Sequence, residues 1–390
     1  MDSSGAPFPV RGQDGDKFPQ RQEGRRDKCI ITGKAWGMHG KEKLDIRIRE
    51  EYLKKAMELH RENPVADAHL DLAGEILLRN QAGEQDIIKK YYLPHFKSAG
   101  IKLVVSSVYV ENGNLNHAWQ NALAQIAALK EDIEELEEIV LVQNKADLEE
   151  ILSGGKTGIL LYMEGLDCIG EEVEKLDTLY DLGVRGASLT WSRPNALAVG
   201  CCKASEYRQI PGGLSDAGIR AVRKLEKLSM FLDVSHLNDE GFRQVCRIAE
   251  RPFLATHSGS RRIYDNYRNL TDEQMRALAS KGGIMGMNGC KYIAGSLSGN
   301  HLEMLCRHIE YEAEQIGAEH VGYGFDLCDS YSRARAALRG ENYTDRDDCL
   351  SDHGQVPLVT AALLQRGMDA EKAACIIGSN FINYFKRYNF

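Results

Sequence analysis

Eight short apolar runs alternate with amphipathic stretches along this chain, and this alternation limits the possible folds more than any other feature. The runs are Val65–Leu72, Ile101–Val110, Gly158–Gly165, Val184–Trp191, Met230–His236, Pro252–His257, Gly283–Asn288 and His320–Asp326. Strands that alternate with helices pair in parallel through βαβ units. Eight such units within about 260 residues predict a closed TIM-like (β/α)8 barrel rather than an open sheet.

The stretches between the runs carry apolar residues at helical spacing and predict the outer layer of helices. They are Gln85–Ala99, Asn114–Ile139, Lys145–Leu152, Glu171–Leu182, Leu214–Leu228, Asn238–Glu250, Thr271–Ser280 and Leu302–Ile316, preceded by a helix at Asp45–Asn63. Thr271 followed by Gln274 three residues later predicts a helix-capping box. Residues 1–45 lack periodicity, so we expect a flexible extension there and a single barrel domain over residues 46–390.

Composition limits the classes of partner that the protein is expected to bind. The net charge of -8 and the isoelectric point near 5.8 argue against binding a nucleic-acid backbone. No signal peptide and no apolar stretch of membrane-spanning length is visible in the sequence, so we expect a cytoplasmic protein without a membrane partner. The ten cysteines form no Cys-x-x-Cys pair and are expected to be reduced thiols that fill core space.

Five of the eight runs end in side chains that can bind a metal ion or transfer a proton. In a (β/α)8 barrel, functional residues collect where the strands end, at the carboxyl rim. Two imidazoles come from runs one βα unit apart, and carboxylates come from three others. The six residues are His69, Asp71, Glu164, His236, His257 and Asp326.

Carboxylates buried at one rim need cations, and this requirement predicts a binuclear metal site. We assign His69, Asp71 and Glu164 to one ion, and Glu164, His236 and His257 to the other, with Glu164 bridging. The open position would hold a bridging hydroxide, with Asp326 placed to transfer a proton. Nitrogen and oxygen ligands suit zinc, two ions per chain, although manganese and cobalt also fit. Taken singly, each histidine could be a core residue and Glu164 a buried salt-bridge partner.

A series of short motifs runs in order through most of the chain. Its main members are Asp67-Ala-His69-Leu-Asp71, Glu164-Gly165, Leu232-Asp-Val-Ser-His236, Thr256-His257-Ser258, Arg268-Asn269 and Gly322-Tyr-Gly-Phe-Asp326. From about Val65 to Phe385 the chain resembles the membrane (renal) dipeptidase family of zinc dipeptidases. The resemblance implies a TIM-like barrel that binds two zinc ions, hydrolyses dipeptides and forms homodimers.

The resemblance also implies roles for individual residues. The family's metal ligands match the five residues reached above, and its catalytic aspartate matches Asp326. Its arginine for the substrate carboxylate matches Arg268, because a guanidinium binds a carboxylate through two hydrogen bonds. We therefore predict Asp326 and Glu164 as catalytic residues. The predicted substrate-binding residues are Arg268, Trp191 and Asn288.

Four residues, at three places in the sequence, depart from the family pattern. Trp191 occupies the place of a histidine that animal members carry after the fourth strand. Gly289-Cys290 follows Asn288 where a Phe-Tyr pair is common, which predicts a roomier pocket. Cys328 replaces an aspartate.

Three functions are therefore considered. The first is a metal-dependent dipeptidase. The second is a related binuclear amidohydrolase acting on a lactone, an N-acyl amino acid or a cyclic amide. The third is a barrel that has lost catalysis and acts as a binding protein. The segments Arg193–Gly213 and Leu327–His353 are predicted to cover the site. The histidines outside the ligand set, His353 among them, are expected on the surface or in packing.

Overall fold

The structure is a computed structural model that describes residues 46–201, 212–345 and 347–388. The predicted extension over residues 1–45 lies outside these ranges. Residues 202–211, within the predicted covering segment Arg193–Gly213, also lie outside them. Within the described ranges, no helix combines the length and the apolar character needed to cross a lipid bilayer.

Parallel strands form a closed barrel, which confirms the predicted (β/α)8 fold. The strands are β1 Val65–Leu70, β2 Ile101–Tyr109, β3 Ile139–Leu141, β4 Thr157–Glu164, β5 Val184–Ser188, β6 Phe231–Asp233, β7 Leu254–Ser258, β8 Ile284–Met287 and β9 Val321–Tyr323. The hydrogen-bonded order is β2-β1-β9-β8-β7-β6-β5-β4, and the ring closes because β4 also pairs with β2. The short β3 pairs with the start of β4 outside this ring of eight.

Helices surround the barrel. They are α1 Glu50–Glu62, α2 Leu72–Gln81, α3 Leu93–Ala99, α4 Ala118–Ile133, α5 Lys145–Ser153, α6 Lys175–Asp181, α7 Asp216–Lys227, α8 Asp239–Ile248, α9 Asp272–Ser280, α10 Lys291–Ala294, α11 His301–Ile316, α12 Asp329–Leu338, α13 Val356–Arg366, α14 Ala370–Ala374 and α15 Asn380–Tyr388. The predicted capping box is confirmed, because Thr271 accepts from the Gln274 amide while the Gln274 side chain accepts from the Thr271 amide.

The C-terminal helix α15 closes one end of the barrel. Phe381 and Phe385 pack into a buried cluster with strand residues that include Tyr162 and Phe231. The Tyr384 hydroxyl donates to the carbonyl oxygen of Pro252, just before β7 begins, at 2.8 Å. The helix therefore lies at the amino ends of the strands, and the carboxyl ends remain for the candidate site.

Several predicted boundaries are wrong, each for a local reason. The run at Met230–His236 is a strand only to Asp233, whose carboxylate accepts from the Ser235 amide and turns the chain. The run at His320–Asp326 leaves the sheet after Tyr323, and Asp326 itself has a positive φ of 54°. The predicted helix Asn114–Ile139 ends at Ile133, and Ile139 begins β3.

The C-terminal side of the barrel also contains helices that the sequence patterns did not predict. The predicted covering segment Leu327–His353 includes α12, and α13 to α15 follow it. Leu72 was predicted to end the first strand, but it begins α2. In both places a helix starts directly after a rim residue, so the rim side chains lie at helix beginnings as well as at strand ends.

Candidate metal centre and active-site cavity

Glu164 is the last residue of β4, and its carboxylate lies among three imidazole rings. Its Oε1 atom is 2.8 Å from His236 Nε2, 3.2 Å from His257 Nε2 and 3.6 Å from His69 Nε2. All four side chains are buried. The structure thus brings together four of the five predicted metal ligands around one carboxylate oxygen.

The two neighbouring histidines arrive by different routes. His257 is the penultimate residue of β7, whereas His236 lies three residues beyond β6. Their Nε2 atoms are only 2.9 Å apart. Burial lowers the pKa of each imidazole well below its ordinary value, so both are neutral and have lone pairs available for a metal ion.

Hydroxyl groups orient both imidazoles from behind. The Ser192 hydroxyl lies 2.9 Å from His236 Nδ1, and the Thr256 hydroxyl lies 2.8 Å from His257 Nδ1. The Thr256 hydroxyl in turn lies 2.9 Å from Asp233 Oδ2. A hydrogen-bond partner on the far nitrogen fixes the ring that presents Nε2 to a metal ion.

A second group of possible ligands lies on the other side of His69. Asp71, Asp326 and Cys328 each place one ligand atom within 4.8 Å of the others. His69 Nε2 is 3.6 Å from Asp71 Oδ1 and 3.7 Å from Asp326 Oδ1. Asp71 lies at the N-cap of α2, beyond the end of β1 rather than in it, and it accepts a hydrogen bond from the Ser107 hydroxyl.

The predicted substrate residue Asn288 lies behind Asp326. Asn288 is fully buried and donates from Nδ2 to Asp326 Oδ2 at 3.0 Å. Its Oδ1 accepts from the Cys290 amide at 2.7 Å, so the amide orientation is fixed. In this position Asn288 holds the Asp326 carboxylate, and direct contact with a substrate stays a prediction.

The electrostatics of the polypeptide alone are unfavourable. Burial, together with Asp71 and Asp326, raises the pKa of Glu164 well above its usual value. Burial alone would lower the pKa of His69, but the surrounding carboxylates outweigh it and raise the pKa to about 10. The site cannot keep three carboxyl groups ionised around one imidazole without additional positive charge, and divalent cations would supply that charge.

A further observation indicates that these residues can hold a metal ion. Both ring nitrogens of His69 are completely buried and have no hydrogen-bond partner among the described residues. The three nearest carboxylate oxygens, at 3.6 to 3.7 Å from Nε2, are too distant to be hydrogen-bond partners. An unpartnered buried imidazole is costly unless it serves as a ligand. His69, Glu164 and His257 together form a candidate group that can hold a metal ion.

A cavity of about 640 Å³ opens above the metal centre. Asp71, Glu164, His236 and Asp326 line its floor, and the predicted substrate residues Arg268 and Trp191 line its wall. The Trp191 indole stacks on the His236 ring with centroids 5.7 Å apart. The Arg268 guanidinium is buried and donates to the carbonyl oxygens of Ser235 and His257.

Sequence reasoning missed one buried pair beside the site. His353 Nε2 lies 2.8 Å from Asp67 Oδ2, and Asp67 Oδ1 accepts from the Phe325 amide at 2.9 Å. Asp67 lies two residues before His69 in the same motif, and this spacing was the signal in the sequence that could have revealed its place beside the site. His353 was expected to be a surface or packing residue, and the pattern around it gave no indication of the contact.

A parallel (β/α)8 barrel with imidazoles and carboxylates at its carboxyl rim is typical of metal-dependent hydrolases. The comparisons with known proteins agree. Dipeptidase 3 of Mus musculus is 26% identical over 360 residues, covering 88% of this chain and 67% of the mouse protein. A Rhodobacter sphaeroides metallo peptidase, solved with a phosphinate mimic of the dipeptide L-Ala-D-Ala, has a TM-score of 0.71 and 25% identity, with 83% of this chain and 99% of that chain covered.

A second solved structure, the dipeptidase AC, a metallo peptidase of family M19, has a TM-score of 0.70 and 26% identity over 83% of this chain and 98% of that chain. The model of the membrane dipeptidase family, peptidase family M19, matches residues 53–389. The chain belongs to the membrane dipeptidase family. It is therefore a metallopeptidase of the hydrolase class, and the family and its solved members support a metal-dependent dipeptidase.

Proposed function

We propose that this chain hydrolyses the peptide bond of dipeptides at a centre of two zinc ions. The observation that carries the proposal is the convergence of three imidazole Nε2 atoms on Glu164 Oε1, at 2.8, 3.2 and 3.6 Å. The Rhodobacter sphaeroides relative was solved with a mimic of L-Ala-D-Ala, which supports a dipeptide as the substrate class.

The predicted division of ligands suits the observed distances. His69, Asp71 and Glu164 would hold one ion, and Glu164, His236 and His257 the other, with Glu164 shared between them. The bound metal ions supply Lewis-acid polarisation of the scissile carbonyl and lower the pKa of the attacking water. Nitrogen donors favour zinc over magnesium or calcium.

Asp326 is proposed to move the proton. Its carboxylate lines the cavity, and the Asn288 amide fixes one of its oxygens at 3.0 Å. Peptide hydrolysis requires that a proton pass from the attacking water to the leaving amine. A carboxylate held at the cavity floor beside the metal ligands can accept this proton and return it to the amine nitrogen.

Arg268 is proposed to bind the free C-terminal carboxylate of the substrate. Its buried guanidinium lines the cavity and donates to the carbonyl oxygens of Ser235 and His257. A substrate carboxylate in the cavity would accept charge-assisted hydrogen bonds from the same guanidinium. A fixed site for the terminal carboxylate close to the metal centre restricts the substrate to short peptides.

The experiment compares the wild-type protein with Glu164→Gln and with the control Glu171→Gln, an exposed residue outside the cavity lining. Metal content is measured by mass spectrometry, and turnover is measured on Ala-Ala, Gly-Leu and an L,D-dipeptide. We expect Glu164→Gln to lose bound metal and turnover, because an amide cannot replace a shared carboxylate. Glu171→Gln should match the wild type.

Two results would contradict the proposal. Unchanged metal content in Glu164→Gln would remove Glu164 from the ligand set. A wild-type protein that binds two metal ions but cleaves no dipeptide would refute the dipeptidase activity, and turnover of a lactone by the same preparation would favour the amidohydrolase alternative.

The quaternary state is a separate proposal. Likeness to the membrane dipeptidase family supports a homodimer. Light scattering coupled to gel filtration tests it, and a mass equal to one chain of 43.6 kDa would contradict it.

A further inference from the structure

The thiol of Cys328 lies inside the carboxylate half of the metal centre. Its sulfur is 3.4 Å from Asp326 Oδ1 and 3.0 Å from the carbonyl oxygen of Asp326. With Asp71 it completes a group whose ligand atoms all lie within 4.8 Å of one another. Cys328 also lines the cavity that opens above the candidate metal centre.

A second observation independently points to a ligand at this position. His69 is completely buried, and neither of its ring nitrogens has a hydrogen-bond partner in the described ranges. Its Nε2 atom is directed at the same group, 3.6 Å from Asp71 Oδ1 and 3.7 Å from Asp326 Oδ1. His69 Nε2 therefore lies close to the two carboxylates that neighbour the Cys328 sulfur.

The backbone holds the sulfur in this place. Cys328 is the residue before α12, and its amide donates to Asp348 Oδ1 at 2.9 Å. The next amide, of Asp329, donates to Asp348 Oδ2 at 2.8 Å. One carboxylate thus fixes two successive amides at the start of the helix. The anchored backbone keeps the Cys328 side chain beside Asp71 and Asp326.

We propose that Cys328 is a ligand of the metal ion held by His69 and Asp71, so that this half of the centre binds zinc through sulfur as well as nitrogen and oxygen. The inference rests on the proposed binuclear centre and deepens it. Thiolate ligands select zinc, cobalt and cadmium, whereas all-oxygen sites favour magnesium and manganese. The sulfur therefore selects a thiophilic ion at a position otherwise rich in carboxylates.

Cobalt spectroscopy tests the proposal without using enzyme activity. The full chain, freed of metal and reloaded with Co²⁺, is compared with Cys328→Ser and with the control Cys290→Ser. Cys290 is a neighbouring cysteine outside the candidate ligand groups. We expect a sulfur-to-cobalt charge-transfer band in the near ultraviolet for the wild type and for Cys290→Ser. Cys328→Ser should lose this band and keep the visible ligand-field bands of bound cobalt.

Other outcomes separate this inference from the proposed function. Ligand-field bands without a charge-transfer band in the wild type would overturn the sulfur ligand and leave the binuclear centre standing. A band that persists in Cys328→Ser would also overturn it. Failure of the wild type to bind any cobalt or zinc would refute the metal centre itself, and the sulfur ligand with it.

X-ray absorption of the zinc-loaded protein gives a second readout. A sulfur ligand adds a scattering shell at about 2.3 Å, distinct from nitrogen and oxygen at about 2.0–2.1 Å. We expect this shell in the wild type and its absence in Cys328→Ser. We also expect zinc to bind the variant about tenfold or more weakly at this position, while manganese binding changes less. Equal zinc affinity in both proteins would contradict the proposal.

Discussion

We predict that the buried carboxyl group of Glu312 makes the stability of the protein depend on pH. Glu312 lies on α11, is completely buried, and has no hydrogen-bond partner for either oxygen among the described residues. His308 Nδ1 lies 3.9 Å from Glu312 Oε1 and already accepts from the Ser260 amide at 2.9 Å. Burial lowers the pKa of His308 to about 4, so the ring is neutral and cannot compensate a carboxylate.

Burial raises the pKa of Glu312 well above its ordinary value. This shift makes the free energy of unfolding decrease as the pH rises. Below a pH of about 4.3 the carboxyl group is protonated in both folded and unfolded chains, and no stability is lost. As the pH rises, the unfolded chain ionises while the folded chain holds the proton. Stability then falls by about 1.4 kcal/mol per pH unit until the pH passes the folded pKa.

Glu312→Gln removes this loss because an amide does not titrate. Between pH 5 and pH 7 the variant should gain up to about 2.7 kcal/mol relative to the wild type. For a chain of 390 residues, an unfolding entropy of about 2.1 cal/mol/K per residue converts this to roughly 3 °C in melting temperature.

The assay is thermal unfolding followed by circular dichroism at pH 5, 6 and 7, with metal content held equal. Glu314→Gln is the matched control, since Glu314 is exposed on the same helix. The control should give a melting-temperature difference that is nearly independent of pH. A Glu312→Gln difference that stays constant across this range would refute the reasoning, because it would mean that Glu312 ionises in the folded protein.

Three further predictions concern the site and its support. Arg268→Lys should raise KM for dipeptides far more than it lowers kcat, since lysine cannot form the paired hydrogen bonds of a guanidinium; a fall in kcat alone would contradict the assigned role. His353→Ala should destabilise the protein by about 3 kcal/mol, because the buried Asp67 carboxylate loses its 2.8 Å partner, and an unchanged urea midpoint would argue against this. Gly324→Ala should destabilise the protein by about 3 kcal/mol or more, because its Cβ would lie 1.7 Å from the Thr256 carbonyl oxygen. A melting temperature equal to that of the wild type would contradict this, because it would mean that the two backbone segments move apart at little cost.

The sequence was sufficient to predict the barrel and the meeting of the candidate side chains at its carboxyl rim. Continuous apolar runs such as the one ending in Glu164 are characteristic of parallel strands covered on both faces. The histidine or carboxylate at the end of a run could be read directly from the sequence. His69, Glu164 and His257 lie at or next to strand ends, as predicted. Their assembly follows from barrel geometry alone.

The parts that could not be predicted depend on tertiary contacts. The helix α12 begins at a residue whose amide is fixed by Asp348, a contact that no periodicity records. Similarly, β3 is three residues long and exists because Ile139 pairs with the start of β4. The positive φ of Asp326 is also invisible in the sequence, since aspartate gives no signal as strong as glycine.

The meeting of the first and last strands has a consequence for how the protein assembles. β1 and β9 are joined by a single register pair, Asp67 with Tyr323, and the Asp67 side chain adds a hydrogen bond to the Phe325 amide. His69 and Asp326 stand on opposite sides of this seam, and the Asp326 amide donates to the His69 carbonyl oxygen at 3.1 Å. The carboxyl rim of the barrel is therefore complete only after the final strand has docked against β1, and we expect metal uptake during folding to follow this docking.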